Sequence, residues 1–362
     1  MPTWSTRSRG RHGPQDDTDG NSRLPVPTFC EDAVKMKRFA IVCLTLCLLP
    51  FSCTQARETA REPNPGGGAE SASLFANTPD PSAAPRSAPK FDSGRAFQYI
   101  KEIVAFGPRP IGSQNHKKVE EYILSHLKGD AVEEDAFTIE TTEGKFPVRN
   151  LIAKFPGSRD GIIVIASHYD TNYPLRDTSY AGANDGGSSS ALLLELANQL
   201  RGKKREGYSV WLLWDDAEES MRLPWYDPES LYGVRHLVQK WQADGTIKKI
   251  KAFLLEDMIG DADLHIEREA NSTPWLEDMI YQAATRLGYQ SHFFARTSQI
   301  EDDHMPFLEH GVPSADLIDF EYGYNNVFWH TPQDTIDKLS PKSLEIVGTV
   351  TLDTVQMLDQ KE

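Results

Sequence analysis

Apolar and polar positions follow two alternating patterns along the chain after residue 91. Short runs of β-branched and other apolar residues, of the length of buried strands, occupy residues 162–166, 208–214 and 250–255. Longer stretches with apolar residues at the helical period separate and flank these runs; they are residues 95–106, 116–128, 189–200, 231–241, 275–287 and 341–358. The alternation predicts an α/β fold with a mixed, largely parallel central sheet and helices on both faces.

Composition divides the chain into three regions. Residues 1–53 are expected to form an N-terminal extension with a signal-like or lipoprotein-like segment. Residues 54–90 are rich in Pro, Ala, Ser and Gly and have few large apolar residues, so they predict a disordered linker that cannot bury enough surface to offset its ordering entropy. Residues 91–362 are expected to form one catalytic domain. In its first turn-rich loop, Arg109 stands between two prolines and is expected at the surface or in an interdomain contact.

The N-terminal extension carries the features of an export signal. Lys37 and Arg38 precede an apolar stretch, 39–52, of signal-peptide length that is short for a transmembrane span. We expect export to the periplasm or the extracellular space, with Met36 as an alternative start and an uncleaved anchor as the competing interpretation. The segment that ends at Cys53 resembles a bacterial lipoprotein cleavage box, so a lipid anchor to the membrane stands beside ordinary secretion as an alternative.

Charge and cysteine usage limit the chemistry of the domain. The chain has a net charge of −15, and its domain shows no clustered Lys and Arg, so we expect no nucleic-acid partner. All four cysteines lie within the first 53 residues, which leaves no thiolate for a metal site further along. No Gly-x-Ser-x-Gly elbow supports a serine nucleophile. Any metal must use oxygen and imidazole ligands, and nothing in the pattern indicates an oligomeric state.

Five short segments with acidic or histidine residues follow one another along the last two-thirds of the chain. They are residues 167–170, 182–186, 215–219, 256–260 and 329–331. Three of them follow or end a predicted strand, and open α/β sheets collect their ligands at the carboxyl ends of such strands. The spacing therefore predicts one metal pocket built from distant segments.

Zinc chemistry assigns roles to several of these residues. A catalytic zinc keeps three protein ligands and one open position, and Asp185, Glu219 and His330 fit that count. Glu218 is adjacent to a proposed ligand, and because neighbouring side chains diverge, its carboxylate would face the substrate. We therefore expect Glu218 to be the general base or acid.

Two further residues leave the number of metals open. His168 and Asp257 either complete a second zinc site bridged by Asp185, or hydrogen-bond around a single zinc. Asp170 is expected to orient His168 rather than to bind metal. Ligand identity alone does not decide between one zinc and two.

From residue 91 to the C-terminus, the chain resembles the M28 zinc-peptidase superfamily. The resemblance lies in the order of five motifs, which are His-Tyr-Asp, Gly-Ala-x-Asp, Glu-Glu, Asp-Met-Ile-Gly and a late His. Within this superfamily, residues 225–237, 302–313 and 328–331 look like glutaminyl-peptide cyclotransferases. This resemblance implies a zinc aminopeptidase-like fold with one zinc on the three ligands named above. It also implies Glu218 as proton shuttle, Asp257 and Asp302 as its carboxylate partners, and Trp225 and Trp329 as pocket walls.

Some positions depart from the cyclotransferase pattern. The sequence of residues 184–187 is closer to that of the aminopeptidases. Glu301, which we assign to substrate binding, stands where cyclotransferases usually carry Gln. The resemblance implies cyclisation of N-terminal Gln of peptides or proteins to pyroglutamate with release of ammonia. The alternative is an M28 aminopeptidase with two zincs. A third alternative is an exported domain without catalytic activity that binds peptides or cell-wall material. The presence of Glu218 and of all candidate ligands argues against it.

Overall fold

The computed structural model describes residues 89–361. The predicted export segment, Cys53 and all but the end of the predicted linker lie outside the described residues. Within the described part, eight strands and seven α-helices alternate along the chain. The strands are β1 Ala131–Thr141, β2 Gly144–Phe155, β3 Gly157–His168, β4 Arg205–Asp215, β5 Ile250–Asp257, β6 Ile266–Glu269, β7 Phe293–Ser298 and β8 Ser314–Ile318. The helices are α1 Ser93–Val104, α2 Gln114–His126, α3 Gly187–Leu200, α4 Tyr232–Asp244, α5 Pro274–Leu287, α6 His304–Glu309 and α7 Pro341–Leu358.

Six strands form the central sheet in the order β1-β2-β4-β3-β5-β8. The pairs β1–β2 and β2–β4 are antiparallel, whereas β4–β3, β3–β5 and β5–β8 are parallel. Strands β6 and β7 form a separate two-stranded parallel sheet. The prediction of a mixed, largely parallel sheet is confirmed.

Alternate residues of the central strands enter two different cores. Ile163 and Ile165 of β3 pack with helices α1, α3, α5 and α7, while Ile162 and Val164 pack with α4 and α6 on the opposite face. Successive side chains of a strand point to opposite faces, so a run without polar residues is required wherever both faces are covered. Helices on both faces of the sheet are therefore also confirmed.

Local sequence chemistry explains where several helices begin. The side chains of Asp92, Ser113 and Ser340 accept hydrogen bonds from backbone N–H groups in the first turns of α1, α2 and α7. Pro274 and Pro341 occupy the first helical position, where no intrahelical N–H is needed. The six predicted helices are all present, with ends within about three residues of the predicted ones. No helix of the described part has the length and apolar character needed to cross a membrane.

Candidate active site

The carboxyl ends of the parallel strands meet at one edge of the sheet. His168 at the end of β3 is in register with Asp215 at the end of β4, and Asp257 at the end of β5 is in register with Ile318 of β8. The loops that follow these strands bring in Asp185, Glu218 and the more distant residues. The structure thus gathers all five predicted segments at a single edge.

The loop after β4 directs two adjacent glutamates to different partners. The backbone N–H of Glu218 donates to Asp170 Oδ1 over 3.3 Å, and its carbonyl accepts from the N–H of Leu231 over 2.8 Å. With the backbone fixed in this way, Glu218 Oε2 lies 3.7 Å from His168 Nδ1. Glu219 turns away, and its Oε2 lies 3.2 Å from His330 Nε2.

Three residues at or beside the site adopt left-handed backbone conformations without being glycine. Ala217 precedes the glutamate pair with φ 58°, Met258 follows Asp257 with φ 49°, and His330 itself has φ 51°. Such conformations cost about 1–3 kcal/mol each and persist where the surrounding structure determines them. Their concentration here indicates that side-chain placement at this edge outweighs local backbone preference.

Asp185, Glu219 and His330 form a compact group with the donor set of a zinc site, in which the two carboxylates are buried and His330 is partly exposed. His330 Nε2 lies 3.4 Å from Asp185 Oδ2 and 3.2 Å from Glu219 Oε2. Glu219 Oε1 is buried and has no hydrogen-bond partner among the described residues. One imidazole nitrogen and two carboxylates are ligands that zinc accepts, and an unpartnered buried carboxylate oxygen fits a cation at this point.

Polar neighbours orient two of these ligands. Tyr180 donates its hydroxyl hydrogen to Asp185 Oδ2 over 2.5 Å, and Asn172 Nδ2 donates to Glu219 Oε2 over 2.8 Å. Hydrogen bonds of this kind fix the rotamers of metal-binding side chains. Sequence reasoning missed both residues, although Asn172 lies two positions beyond Asp170 and Tyr180 lies in the loop that leads to Asp185.

His168, Asp185 and Asp257 form a second group that shares Asp185 with the first. His168 Nε2 lies 3.1 Å from Asp185 Oδ1 and 3.2 Å from Asp257 Oδ1. Its Nδ1 lies 3.6 Å from Asp170 Oδ1. The three side chains are close enough to surround one cation. The geometry is therefore compatible both with a second metal bridged by Asp185 and with a single metal surrounded by hydrogen-bonding side chains.

The loop that carries Asp185 is held from several sides. A Cβ atom on Gly186, which has φ 70°, would approach the His168 ring to 2.8 Å, so the close passage of the loop requires glycine. Asp334 accepts from the N–H groups of Asn184 and Asp185 over 2.8 and 3.2 Å. Asp334, four residues beyond His330, was also missed by sequence reasoning.

The prediction that Arg109 lies at the surface or in an interdomain contact is wrong, because its side chain is fully buried. Its guanidinium donates to the backbone carbonyls of Tyr169 over 2.7 Å, Gly182 over 2.9 Å and Asp185 over 3.1 Å, and also to that of Ala181. The five N–H donors of arginine allow one side chain to satisfy several carbonyls that would otherwise be buried without partners. Its position between two prolines suggested a loop, but a sequence pattern does not show which backbone a long side chain reaches.

The site concentrates negative charge away from water. Burial raises the pKa of Glu218 well above its ordinary value, and Asp302 adds to the rise while His168 opposes it. Burial and the nearby charge of Asp257 also raise the pKa of Asp302. Burial alone would lower the pKa of His330, but the carboxylates of Glu219 and Asp185 raise it to about 10. This cluster of carboxylates therefore attracts positive charge strongly, which a metal ion would supply.

A cavity of about 260 Å³ opens onto this group. The proposed ligands and Glu218, Asp257 and Asp302 line its polar side, and Ile318 and Phe320 line its apolar side. Trp225, Trp329 and Glu301 complete the wall, and Trp329 stacks on the His330 ring with 4.0 Å between ring centroids. The structure thus brings every predicted substrate-side residue to one cavity. His168 and Asp170 are not among the residues that line it.

A third buried group, His116, Glu120 and Asp216, has its donors already paired. His116 Nε2 lies 2.7 Å from Asp216 Oδ1 and its Nδ1 lies 3.3 Å from Glu120 Oε1. The Arg149 guanidinium lies 3.6 Å from Glu120, and the Arg149 N–H donates to Asp216 over 2.8 Å. These contacts form an ion-pair network that ties α2 and β2 to the loop after β4.

Comparison with known proteins agrees with this geometry. Residues 150–355 match the model of peptidase family M28. The chain is 32% identical to a glutaminyl-peptide cyclotransferase of Drosophila melanogaster, an alignment that covers 66% of this chain and 75% of that protein.

Two solved structures are similar over nearly their whole length. The glutaminyl cyclase of an Acidobacteriales bacterium is 46% identical with a TM-score of 0.74, over 78% of this chain and 100% of that one. The glutaminyl cyclase of Porphyromonas gingivalis is 28% identical with a TM-score of 0.67, over 74% of this chain and 98% of that one.

Proposed function

This chain belongs to peptidase family M28, and we propose that it acts within that family as a zinc-dependent glutaminyl-peptide cyclotransferase. It converts the N-terminal glutamine of peptides or proteins to pyroglutamate and releases ammonia. The relatives and structural neighbours named above support this reaction over peptide hydrolysis. The observation that carries the proposal is the arrangement of Asp185, Glu219 and His330 beside Glu218 in a cavity walled by two tryptophans.

One zinc would be held by Asp185, Glu219 and His330, which leave a fourth position for substrate. A zinc held there would supply Lewis-acid polarisation of the side-chain amide carbonyl of the substrate glutamine. Tyr180 and Asn172 keep the two carboxylate ligands oriented toward this point.

Glu218 is the proton carrier of the reaction. Its carboxylate lines the cavity and accepts a proton from the α-amine as the α-nitrogen forms a bond to the carbonyl carbon (Cδ) of the glutamine side chain. The same proton then returns to the leaving amide nitrogen as its bond to carbon breaks, and ammonia departs. Proton uptake and release balance, so Glu218 ends each turnover in its starting state.

The remaining wall residues position the substrate and exclude water. Asp257 and Asp302 line the cavity beside Glu218 and accept hydrogen bonds from the amide nitrogen of the substrate side chain. Trp225 and Trp329 cover the reacting atoms, which keeps water from hydrolysing the amide instead. Glu301 lies at the wall where the rest of the peptide leaves.

An M28 aminopeptidase is the second candidate, and one observation favours it. His168, Asp185 and Asp257 form a complete second ligand group, which a two-zinc peptidase needs. In that case Glu218 would deprotonate a water molecule. The two candidates therefore differ in metal stoichiometry and product.

One assay with purified protein separates the candidates. A short Gln-peptide is incubated with the enzyme, and pyroglutamyl peptide, ammonia and free amino acids are measured beside zinc content. We expect about one zinc per chain, cyclised peptide and ammonia in equal amounts, and no amino-acid release. Two tightly bound zincs with amino-acid release would replace the cyclotransferase by the peptidase.

A further inference from the structure

An open groove of about 370 Å³ adjoins the candidate active-site cavity. Glu301 lines both spaces. Two chain segments pass from one to the other, since Trp225 lines the cavity and Asp227 the groove, and Asp302 lines the cavity and Met305 the groove. The groove therefore begins where the cavity ends.

The groove combines apolar and acidic surfaces. Its floor lies over Leu231, which precedes α4, and over Val238 in the middle of α4, both of which are buried beneath it. Met305 of α6 is partly exposed and offers apolar contact at the surface of the groove. Carboxylates of Glu301 and Glu309 stand beside it, and both residues are exposed. An aliphatic chain that ends in a charged head fits such a surface, because its stem contacts apolar groups while its head stays near water.

The acidic groups of the groove are only partly neutralised. Asp227 Oδ1 pairs with Arg235 Nη2 over 2.5 Å, so these two charges offset each other. The side chains of Glu301 and Glu309 have no hydrogen bond or ion pair within the described residues. His310 directs its Nδ1 to the carbonyl of Pro306 over 2.8 Å and forms no ion pair with either glutamate. Two uncompensated carboxylates therefore face the groove.

We propose that this groove binds the side chains of the second and third residues of a Gln-peptide and favours lysine or arginine there. The inference rests on the proposed cyclotransferase function and names its preferred substrate class. Only the first residue of a peptide is enclosed in the cavity, and the following residues must leave it. The wall at Glu301 leads them past the acidic groove.

Matched peptides test the preference. They begin with Gln and carry lysine, norleucine or glutamate at position 2 or at position 3, with the remainder unchanged. At one or both positions we expect kcat/KM to be about two- to fivefold higher for lysine than for norleucine, and lower again for glutamate, as for exposed ion pairs. The difference should shrink in high salt, because exposed charges are screened.

Variants of Glu309 locate the effect. Glu309→Gln should reduce the lysine-to-norleucine ratio, and Glu309→Lys should reverse the order of the lysine and glutamate peptides. Glu121→Gln is the matched control, because it removes the same charge from an exposed residue that lines neither space, and it should leave the ratio unchanged.

The outcomes distinguish the two proposals. Equal kcat/KM for all peptides that are cyclised, or a ratio unaffected by both Glu309 variants, would overturn the groove inference alone. Failure to cyclise any of the peptides would overturn the proposed function and this inference with it.

Discussion

Glu218 and Glu219 are neighbours in sequence, yet their carboxylates meet different histidines. Glu218 faces His168 and Glu219 faces His330, with the backbone between them fixed by Asp170 and by α4. The proposed role of Glu218, a proton carrier beside the metal rather than a ligand of it, requires this divergence. The proposed chemistry of the site therefore depends on the backbone of the loop after β4.

Glu218→Gln should retain zinc and lose roughly two to four orders of magnitude in kcat, the usual contribution of general acid–base catalysis. Metal analysis and turnover on a Gln-peptide measure both properties on the same sample. Glu206→Gln, at a side chain that is 86% exposed, serves as the control and should keep full activity. A near-normal rate for Glu218→Gln would remove this residue from the mechanism.

His330→Ala and Asp185→Ala should each lose zinc and lower the melting temperature, because a metal bound only to the folded state adds to the free energy of unfolding. At a free zinc concentration 100 times Kd, that addition is about 2.7 kcal/mol. Melting with and without chelator measures it, with His310→Ala as the control. Unchanged melting and activity of the parent protein after chelation would show that no functional metal is bound.

At this scale the sequence predicted side chains that follow strands, and it missed those that act through hydrogen bonds across the fold. Asp185 and His330 could be found because they belong to two of the five short acidic or histidine-containing segments whose order along the chain predicts a single pocket. Tyr180, Asn172 and Arg109 are ordinary residues of loops, and their importance depends on which atoms they reach. That information appears only once the tertiary fold is known.

Among the secondary-structure elements, β5 shows how a strand serves two purposes. Its last residue, Asp257, points to the site, and the preceding Glu256 points to the opposite face and accepts a hydrogen bond from Thr351 of α7 over 2.5 Å. Burial raises the pKa of Glu256 to about 8. The folded protein thus holds Glu256 protonated at neutral pH, whereas the unfolded chain ionises it.

This difference makes stability depend on pH in a defined direction. The folded pKa lies above the unfolded value, so the contribution is complete below about pH 4.5 and is lost as pH rises to about 8, by up to about 1.4 kcal/mol per pH unit. Glu256→Gln removes that dependence. The free energy of unfolding of the variant, relative to that of the parent, should therefore increase as the pH rises from 5 to 8. Urea denaturation across this range measures the change, with Glu121→Gln as the control. Parallel pH profiles of parent and variant would contradict the prediction.

The hairpin β1–β2 was not predicted, and its sequence explains why. Residues 133–135 are all acidic, and Glu133 pairs with Lys154 across the hairpin and with Lys240 of α4. Because β1 lies at the edge of the sheet and its charged side chains form ion pairs, its sequence shows only a weak alternation of apolar and polar residues. The central strands, which are covered on both faces, leave a clear apolar run in the sequence.

For the whole molecule, we propose export from the cytoplasm, based on Lys37, Arg38 and the apolar stretch that follows. Fractionation of cells that express the complete chain should place the activity outside the cytoplasm. Labelled fatty acid should attach to the parent and not to Cys53→Ser if the lipid-anchored form is correct, and lack of labelling leaves ordinary secretion. Recovery of all the protein in the cytoplasm with its N-terminus intact would contradict export in either form.

Arg109 has a consequence for the modularity of the enzyme. Its guanidinium supports the Asp185 loop from behind, and it lies in the connection between α1 and α2, outside the residues 150–355 that match the family model. A fragment cut at those limits would keep every proposed ligand and lose the side chain that satisfies the carbonyls beneath them. The smallest fragment expected to fold with an intact site therefore begins before Arg109. The limits of the family match are not the limits of the folded domain.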